Sequence, residues 1–203
     1  MVVLISIDGF PSYLWKDPSL PIPNLRRLAA EGAVGEAMTV SNPSITWINH
    51  TTLVTGVRPA KHGVLYNGLL VRQGPQLPPK LEPWVDRSRM VFAPTVYDSA
   101  HNAGLSTAEV DWVAISKAPT IDWSFPELPD PENPVAKEMR NHPKLWDPAL
   151  GETTSSQSRN IAWRDLQWTQ AAVHIVREHK PNLLLFHLLS TDASNHSYGP
   201  GST

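Results

Sequence analysis

Three short stretches of this chain carry residue types that could do chemistry together. The first is Asp8, which follows the six apolar-rich residues "VVLISI" at 2–7 and precedes Gly9. The second is "NPSITWINHTTLVTG", 42–56, with Thr46 and Asn49 one helical turn apart. The third is "TDASNHSYGP", 191–200, where Asp192 and His196 stand four residues apart. A threonine hydroxyl is a poor nucleophile near neutral pH unless a base or a metal lowers its pKa. At a helix start, an alkoxide on Thr46 and a phosphate beside it would both be favoured by the backbone dipoles. Asn49 could donate its amide to a non-bridging phosphate oxygen. A carboxylate and an imidazole four residues apart can present two metal ligands on one turn of chain. Each residue also has a plain reading: an N-cap for Thr46, an Asp-Gly turn for Asp8, a surface-loop histidine for His196. Residue types and spacing leave both readings open.

The elements that must position these residues follow from periodicity. "VVLISI" is continuous enough to predict a central strand covered on both faces, with Asp8 at its carboxyl end. "IPNLRRLAAEG", 22–32, predicts a helix closed by Gly32, residues 46–54 a second, and "TVYDSAHNAG", 95–104, a third closed by Gly104. "LSTAEVDW", 105–112, reads as a strand, and a Pro/Trp-rich excursion runs from 117 to about 157. The longest predicted helix is 158–179, with Ile161, Leu166, Ala172, Val173 and Val176 as its apolar side. Pro181 breaks it, and a strand at 183–189 follows. Strands alternating with helices predict an α/β fold whose sheet is largely parallel. Ligands of such sheets bind beyond the carboxyl ends of the strands, where Asp8, Asp192 and His196 are expected.

Composition narrows the function classes. The chain has 203 residues, with 17 Lys+Arg against 19 Asp+Glu, so it has no electrostatic footprint for nucleic acid or an anionic membrane. This length suits a single domain spanning 1–203. No apolar run approaches the roughly 20 residues of a spanning helix. The absence of cysteine excludes disulfides and thiolate metal sites and fits a periplasmic protein as well as a cytosolic one. The opening "MVVLISIDGF" has no basic segment before its apolar run and reads as a strand rather than a signal peptide. Twenty prolines and 8 tryptophans, interleaved, predict long connections with aromatic surfaces near a cleft. "HIVREH" at 174–179 does not fit the zinc-protease pattern, because histidines five apart do not share a helix face. His62 reads as a turn histidine with a structural hydrogen bond. The sequon matches at Asn49 and Asn195 coincide with the motifs above.

Taken together, the stretches resemble the type I phosphodiesterase/nucleotide pyrophosphatase family of the alkaline phosphatase superfamily. "VVLISIDGF" looks like its first strand and first metal-binding aspartate, and "NPSITWINHTTLVTGVRPAKHGV" is similar to its nucleophile segment. "TDASNHSYGP" resembles its Asp-x-x-x-His metal motif, with Asn195 where glycine is usual, and "TIDWSFP" at 120–126 resembles the bacterial members. The Cys/Ser-x-Pro-x-Arg context of the sulfatase branch is absent. The resemblance implies an alkaline-phosphatase-like α/β fold with its sheet sandwiched by helices. It implies hydrolysis of phosphodiester or nucleotide pyrophosphate bonds through a phospho-threonine. Thr46 would be the nucleophile and Asn49 an oxyanion donor. Asp8 and Thr46 would contact one Zn2+, and Asp192 and His196 the other. The partner that the resemblance implies is a small-molecule phosphodiester or nucleotide, with no nucleic-acid polymer and no transmembrane segment expected and an oligomer open. The family's other ligands, an Asp-His pair and a further His, belong to a C-terminal portion, whereas this sequence ends at "GPGST". His50, His62 and His187 have no motif support as substitutes. The expectation is a truncated chain of weak or no activity that binds zinc poorly. Alternatives are a phosphomonoesterase or phosphonate hydrolase on the same scaffold, or a catalytically dead fragment.

Overall fold

The computed structural model of the chain describes residues 1–128, 130, 132–142 and 161–200. In chain order these form β1 (Val2–Ile7), α1 (Ser12–Lys16), α2 (Pro23–Glu31), α3 (Thr46–Thr55), α4 (Pro59–His62), β2 (Leu69–Val71) and β3 (Lys80–Glu82). They continue with α5 (Val96–Asn102), β4 (Thr107–Val110), β5 (Trp123–Phe125), α6 (Pro134–Arg140), α7 (Ile161–Glu178), β6 (Leu183–Leu188) and α8 (Ser190–Tyr198). The main sheet has the order β1-β6-β4-β5, and each neighbouring pair in it is parallel. β2 and β3 make a separate antiparallel pair.

Strand β6 organises the interior, because its residues alternate between the two faces of the sheet. Leu184 and Phe186 pack with Ala108, Val110 and Phe125 against α6 and α7, through Val135, Met139, Trp168, Ala171 and Ile175. Leu183 and Leu185 face the other way, onto Val54 of α3, Tyr97 of α5, Trp112 and Ile115. The result is a parallel sheet between two helical layers, the α/β architecture that the alternation of elements predicts. Helix α3 ends at Gly56, whose φ of 66° is a left-handed conformation that costs glycine little. Helix α5 starts with a reciprocal box in which Thr95 and Asp98 satisfy each other's backbone N–H groups.

Four expectations are corrected. β1 is an edge strand rather than a central one: it pairs with β6 alone among the described residues, leaving Val2 and Ile5 64% and 53% exposed. The buried side of α7 is Trp168, Ala171, Ala172 and Ile175, while Leu166 and Val173 point outward. Both sets have helical spacing, and contact with the sheet selects between them. The excursion from 117 contains β5 and α6, and its part from 143 to 157 lies outside the described residues, as does the 158–160 start of the long predicted helix. The segment carrying Asp192 and His196 is a helix, α8, rather than a loop. Among the described residues no helix is long and apolar enough to cross a membrane.

Candidate functional site

Asp8 directly follows β1, and its N–H continues the ladder to the Leu188 carbonyl at 2.9 Å. One carboxylate oxygen, Oδ1, accepts the Gly9 N–H at 3.0 Å. The other, Oδ2, accepts the Thr46 hydroxyl at 2.9 Å, although the two residues are 38 positions apart. Burial alone would push Asp8 up. The close His187 imidazole, the hydrogen bond from the Thr46 hydroxyl and the charge of His50 outweigh it and hold the carboxyl below its ordinary value.

Thr46 is not the cap of its helix. The N-cap position belongs to Ile45, which has no side-chain acceptor, so Thr46 is the first helical residue. Its hydroxyl therefore turns from the backbone toward the Asp8 carboxylate, with its oxygen at the positive end of α3. Asn49 is committed elsewhere. Its carbonyl accepts the Ser41 N–H at 2.6 Å, and its amide nitrogen donates to Ile45 at 3.1 Å, Ser41 at 3.3 Å and Pro43 at 3.4 Å. Asn49 clamps the 41–45 segment over the start of α3.

Two histidines without motif support meet behind Asp8. His187, next to the carboxyl end of β6, donates from Nδ1 to the Asp111 carbonyl at 2.9 Å. Its Nε2 lies 3.6 Å from Asp8 Oδ2. Burial pulls His187 down, but the Asp8 and Asp111 carboxylates hold it above its ordinary value. His50 donates from Nδ1 to the Thr46 carbonyl at 2.8 Å, and its ring sits 4.4 Å from that of His187. The buried His50 Nε2 is a lone pair with no hydrogen-bond partner, and burial lowers this imidazole to about 4. His62 is structural: it is fully buried, with Nε2 on the Thr52 hydroxyl at 3.1 Å and Nδ1 on the Val64 N–H at 3.2 Å.

Asp192 and His196 project from α8 one turn apart, with His196 Nε2 3.4 Å from Asp192 Oδ2. Two contacts place this helix. The Asp165 carboxylate of α7 accepts the Leu189 and Ser190 N–H groups at 3.0 Å each, together with the Ser190 hydroxyl. Asn195 donates to the Gly9 carbonyl at 2.7 Å, so the residue that departs from the glycine of the family motif ties α8 to the end of β1. Gly9 has a φ of +65°, and a Cβ there would lie 2.6 Å from the Asp192 Cα. Only glycine fits that contact. Asp192 is raised by burial and then by the charge of Asp8, so the two carboxylates repel through the space between them.

Asp8, Thr46, Asn49, Asp192 and His196 line one cavity of about 1180 Å³, open at the carboxyl ends of β1 and β6. Its donors are two carboxylates, a hydroxyl and imidazole nitrogens, a set that suits zinc and related divalent cations. A cation there would relieve the Asp8–Asp192 repulsion. Among the described residues, however, the tightest convergence of three ligands is elsewhere: Glu138, His174 and His179. "HIVREH" still does not form the zinc-protease pattern, yet both of its histidines reach Glu138 of α6. His179 lies just past the end of α7, so helical periodicity no longer governs it and the two imidazoles meet. For His187 the available signal was one polar residue inside the otherwise apolar run "NLLLFHLL".

A family model described as type I phosphodiesterase / nucleotide pyrophosphatase matches residues 2–203. The chain is 24% identical over 203 residues to a venom phosphodiesterase of Macrovipera lebetinus, covering 99% of this chain and 21% of that protein. It is similar in fold to murine ectonucleotide pyrophosphatase / phosphodiesterase 5, with a TM-score of 0.61 at 22% identity, covering 99% of this chain and 46% of that one. A phosphonoacetate hydrolase from Sinorhizobium meliloti, in complex with phosphonoacetate, matches with a TM-score of 0.55 at 18% identity, covering 94% and 46%. The chain thus spans about a fifth of that curated relative and under half of these solved structures.

Proposed function

The chain belongs to the type I phosphodiesterase/nucleotide pyrophosphatase family, and from that premise we propose that its Thr46 cavity hydrolyses phosphodiester or nucleotide pyrophosphate bonds through a phospho-threonine. The observation that carries this reading is the hydrogen bond from the Thr46 hydroxyl to Asp8 at the positive end of α3. Asp8, held in its ionised form, orients the hydroxyl and accepts its proton as the Thr46 oxygen bonds to phosphorus. The bond from phosphorus to the leaving oxygen breaks, and that oxygen takes up a proton. Water then cleaves the phospho-threonine and regenerates the hydroxyl. The dipoles of α3 favour the phosphoryl group's negative charge throughout. Asn49 holds the 41–45 segment against the nucleophile and, if one of its carbonyl contacts is exchanged, serves as the oxyanion donor.

Asp8 and Thr46 on one side, and Asp192 and His196 on the other, would hold two Zn2+ ions. When bound, such ions supply Lewis-acid neutralisation of phosphoryl charge and a lowered hydroxyl pKa. Metal would also let Asp8 and Asp192 both stay ionised. Residues 1–203 are proposed to contribute to a single domain of this kind, acting on a small-molecule phosphodiester or nucleotide.

The test is turnover of a bis-aryl phosphate against a mono-aryl phosphate, with Zn2+ supplied. The diester is expected to be preferred, and Thr46→Ala is expected to lower its turnover by roughly a thousandfold or more. Acid-quenched samples should carry one phosphoryl group on the Thr46 peptide. Unchanged turnover in Thr46→Ala would refute the nucleophile. A preference for the monoester or for a phosphonate would move the chain to the alternative reactions of the scaffold.

A further inference from the structure

Beside β5, at the edge of the sheet opposite β1, three side chains from α6, α7 and the turn that follows α7 converge. Glu138 on α6 accepts both His174 Nε2 at 2.8 Å and His179 Nε2 at 2.7 Å on the same oxygen, Oε2. The ligand atoms of the three residues all lie within 4.8 Å of one another. For comparison, tetrahedral zinc with ligands at 2.0–2.1 Å places them about 3.4 Å apart. The phosphodiesterase reading makes no use of these residues.

The geometry points to a second divalent-metal site, of zinc type, at Glu138, His174 and His179, which fastens α6 to the carboxyl end of α7. One carboxylate needs only one imidazole as an ion-pair partner, and here two are held against a single oxygen. Both rings are fixed in advance. His174 is 5% exposed, within the α6–α7 interface, and the His179 ring stacks on Trp123 with centroids 3.5 Å apart and planes 15° apart. Prefixed ligands reduce the ordering cost of binding. Two imidazoles and one carboxylate suit zinc, nickel, cobalt or copper rather than magnesium or calcium, which take oxygen ligands. The half-exposed Glu138 gives an ion a path in from solvent. His142, one turn beyond Glu138 and with its ring 5.8 Å from that of His174, is placed to supply a fourth ligand, or water can do so.

The test uses the full chain carrying Asp8→Asn and Asp192→Asn, which removes the carboxylates of the other cavity. Calorimetric titration with Zn2+ is expected to show one equivalent bound at micromolar or tighter Kd. Adding Glu138→Gln or His179→Gln should weaken that binding at least about 100-fold, with far-ultraviolet circular dichroism confirming the fold of each variant. A paramagnetic probe, Cu2+ or Co2+, should quench tryptophan fluorescence through Trp123. Trp123→Phe should remove that quenching and leave Zn2+ affinity within a few-fold. Absence of Zn2+ binding in the Asp8/Asp192 variant would overturn the site, as would an affinity indifferent to both Glu138→Gln and His179→Gln. The cluster would then be an ion pair alone.

Discussion

At the scale of single residues, the Thr46 site depends on which partner each polar atom finds. The Thr46 hydroxyl leaves its helix to meet Asp8, Asn49 is absorbed by the 41–45 backbone, and Asn195 reaches the carbonyl of Gly9. Gly9 is the tightest point of this arrangement. Gly9→Ala would place a methyl group 2.6 Å from the Asp192 Cα at a φ of +65°. It is expected to cost about 1–3 kcal/mol of stability. Diester turnover should fall further than the loss of folded protein explains, because the Asp8–Asp192 spacing moves. Urea unfolding beside turnover measurements separates the two effects. The types and order of Asp8, Thr46, Asp192 and His196 were legible in the sequence, because each stands in a short local motif. His187 and the Glu138 cluster were not. His187 faces Asp8 only through the register Ser6↔His187, and Glu138 meets His174 and His179 only through the packing of α6 on α7.

At the scale of elements, the helix that carries Asp192 and His196 is held by one carboxylate on its neighbour. Asp165 accepts the N–H groups at the start of α8, anchoring it to α7 immediately after β6. Asp165→Ala leaves those donors without that acceptor and should cost about 1–3 kcal/mol. Amide exchange within 190–198 should speed up while β6 stays protected, and diester turnover should drop with the displaced helix. Equal protection of α8 in the variant and the parent would refute the anchoring role. Periodicity located β1, α2, α3, α5 and β6 to within a residue or two because each has a local apolar pattern. It missed β5, α6 and α8, which are short and polar or lie among prolines, so that tertiary contact defines them. It also read β1 as central because a strand's residues report their hydrophobicity, not which of its edges has a partner.

At the scale of the whole molecule, buried titratable groups give folding stability a pH dependence of mixed sign. Burial raises Glu109 from 4.5 to about 7, against hydrogen bonds from Ser124 and the Trp112 N–H. The native state therefore holds a proton that the unfolded chain has lost, and stability falls as pH rises from about 4.5 to 7. Burial raises Asp111 in the same sense, to about 8, with Arg164 only partly offsetting it. His50 acts in the opposite direction. Its value drops from 6.5 to about 4, so the unfolded chain binds the extra proton and stability rises across that interval. The parent profile is therefore flatter between pH 4.5 and 6.5 than Glu109 and Asp111 alone would make it. Glu109→Gln isolates one slope, because its amide reproduces the protonated acid: nitrogen donates to the Ser124 oxygen and oxygen accepts the Trp112 N–H. The variant should match the parent near pH 4 and exceed it at pH 8 by on the order of 3 kcal/mol. Urea unfolding of both proteins across this range reads the difference, and a constant offset between the two curves would show that Glu109 does not change its protonation on folding.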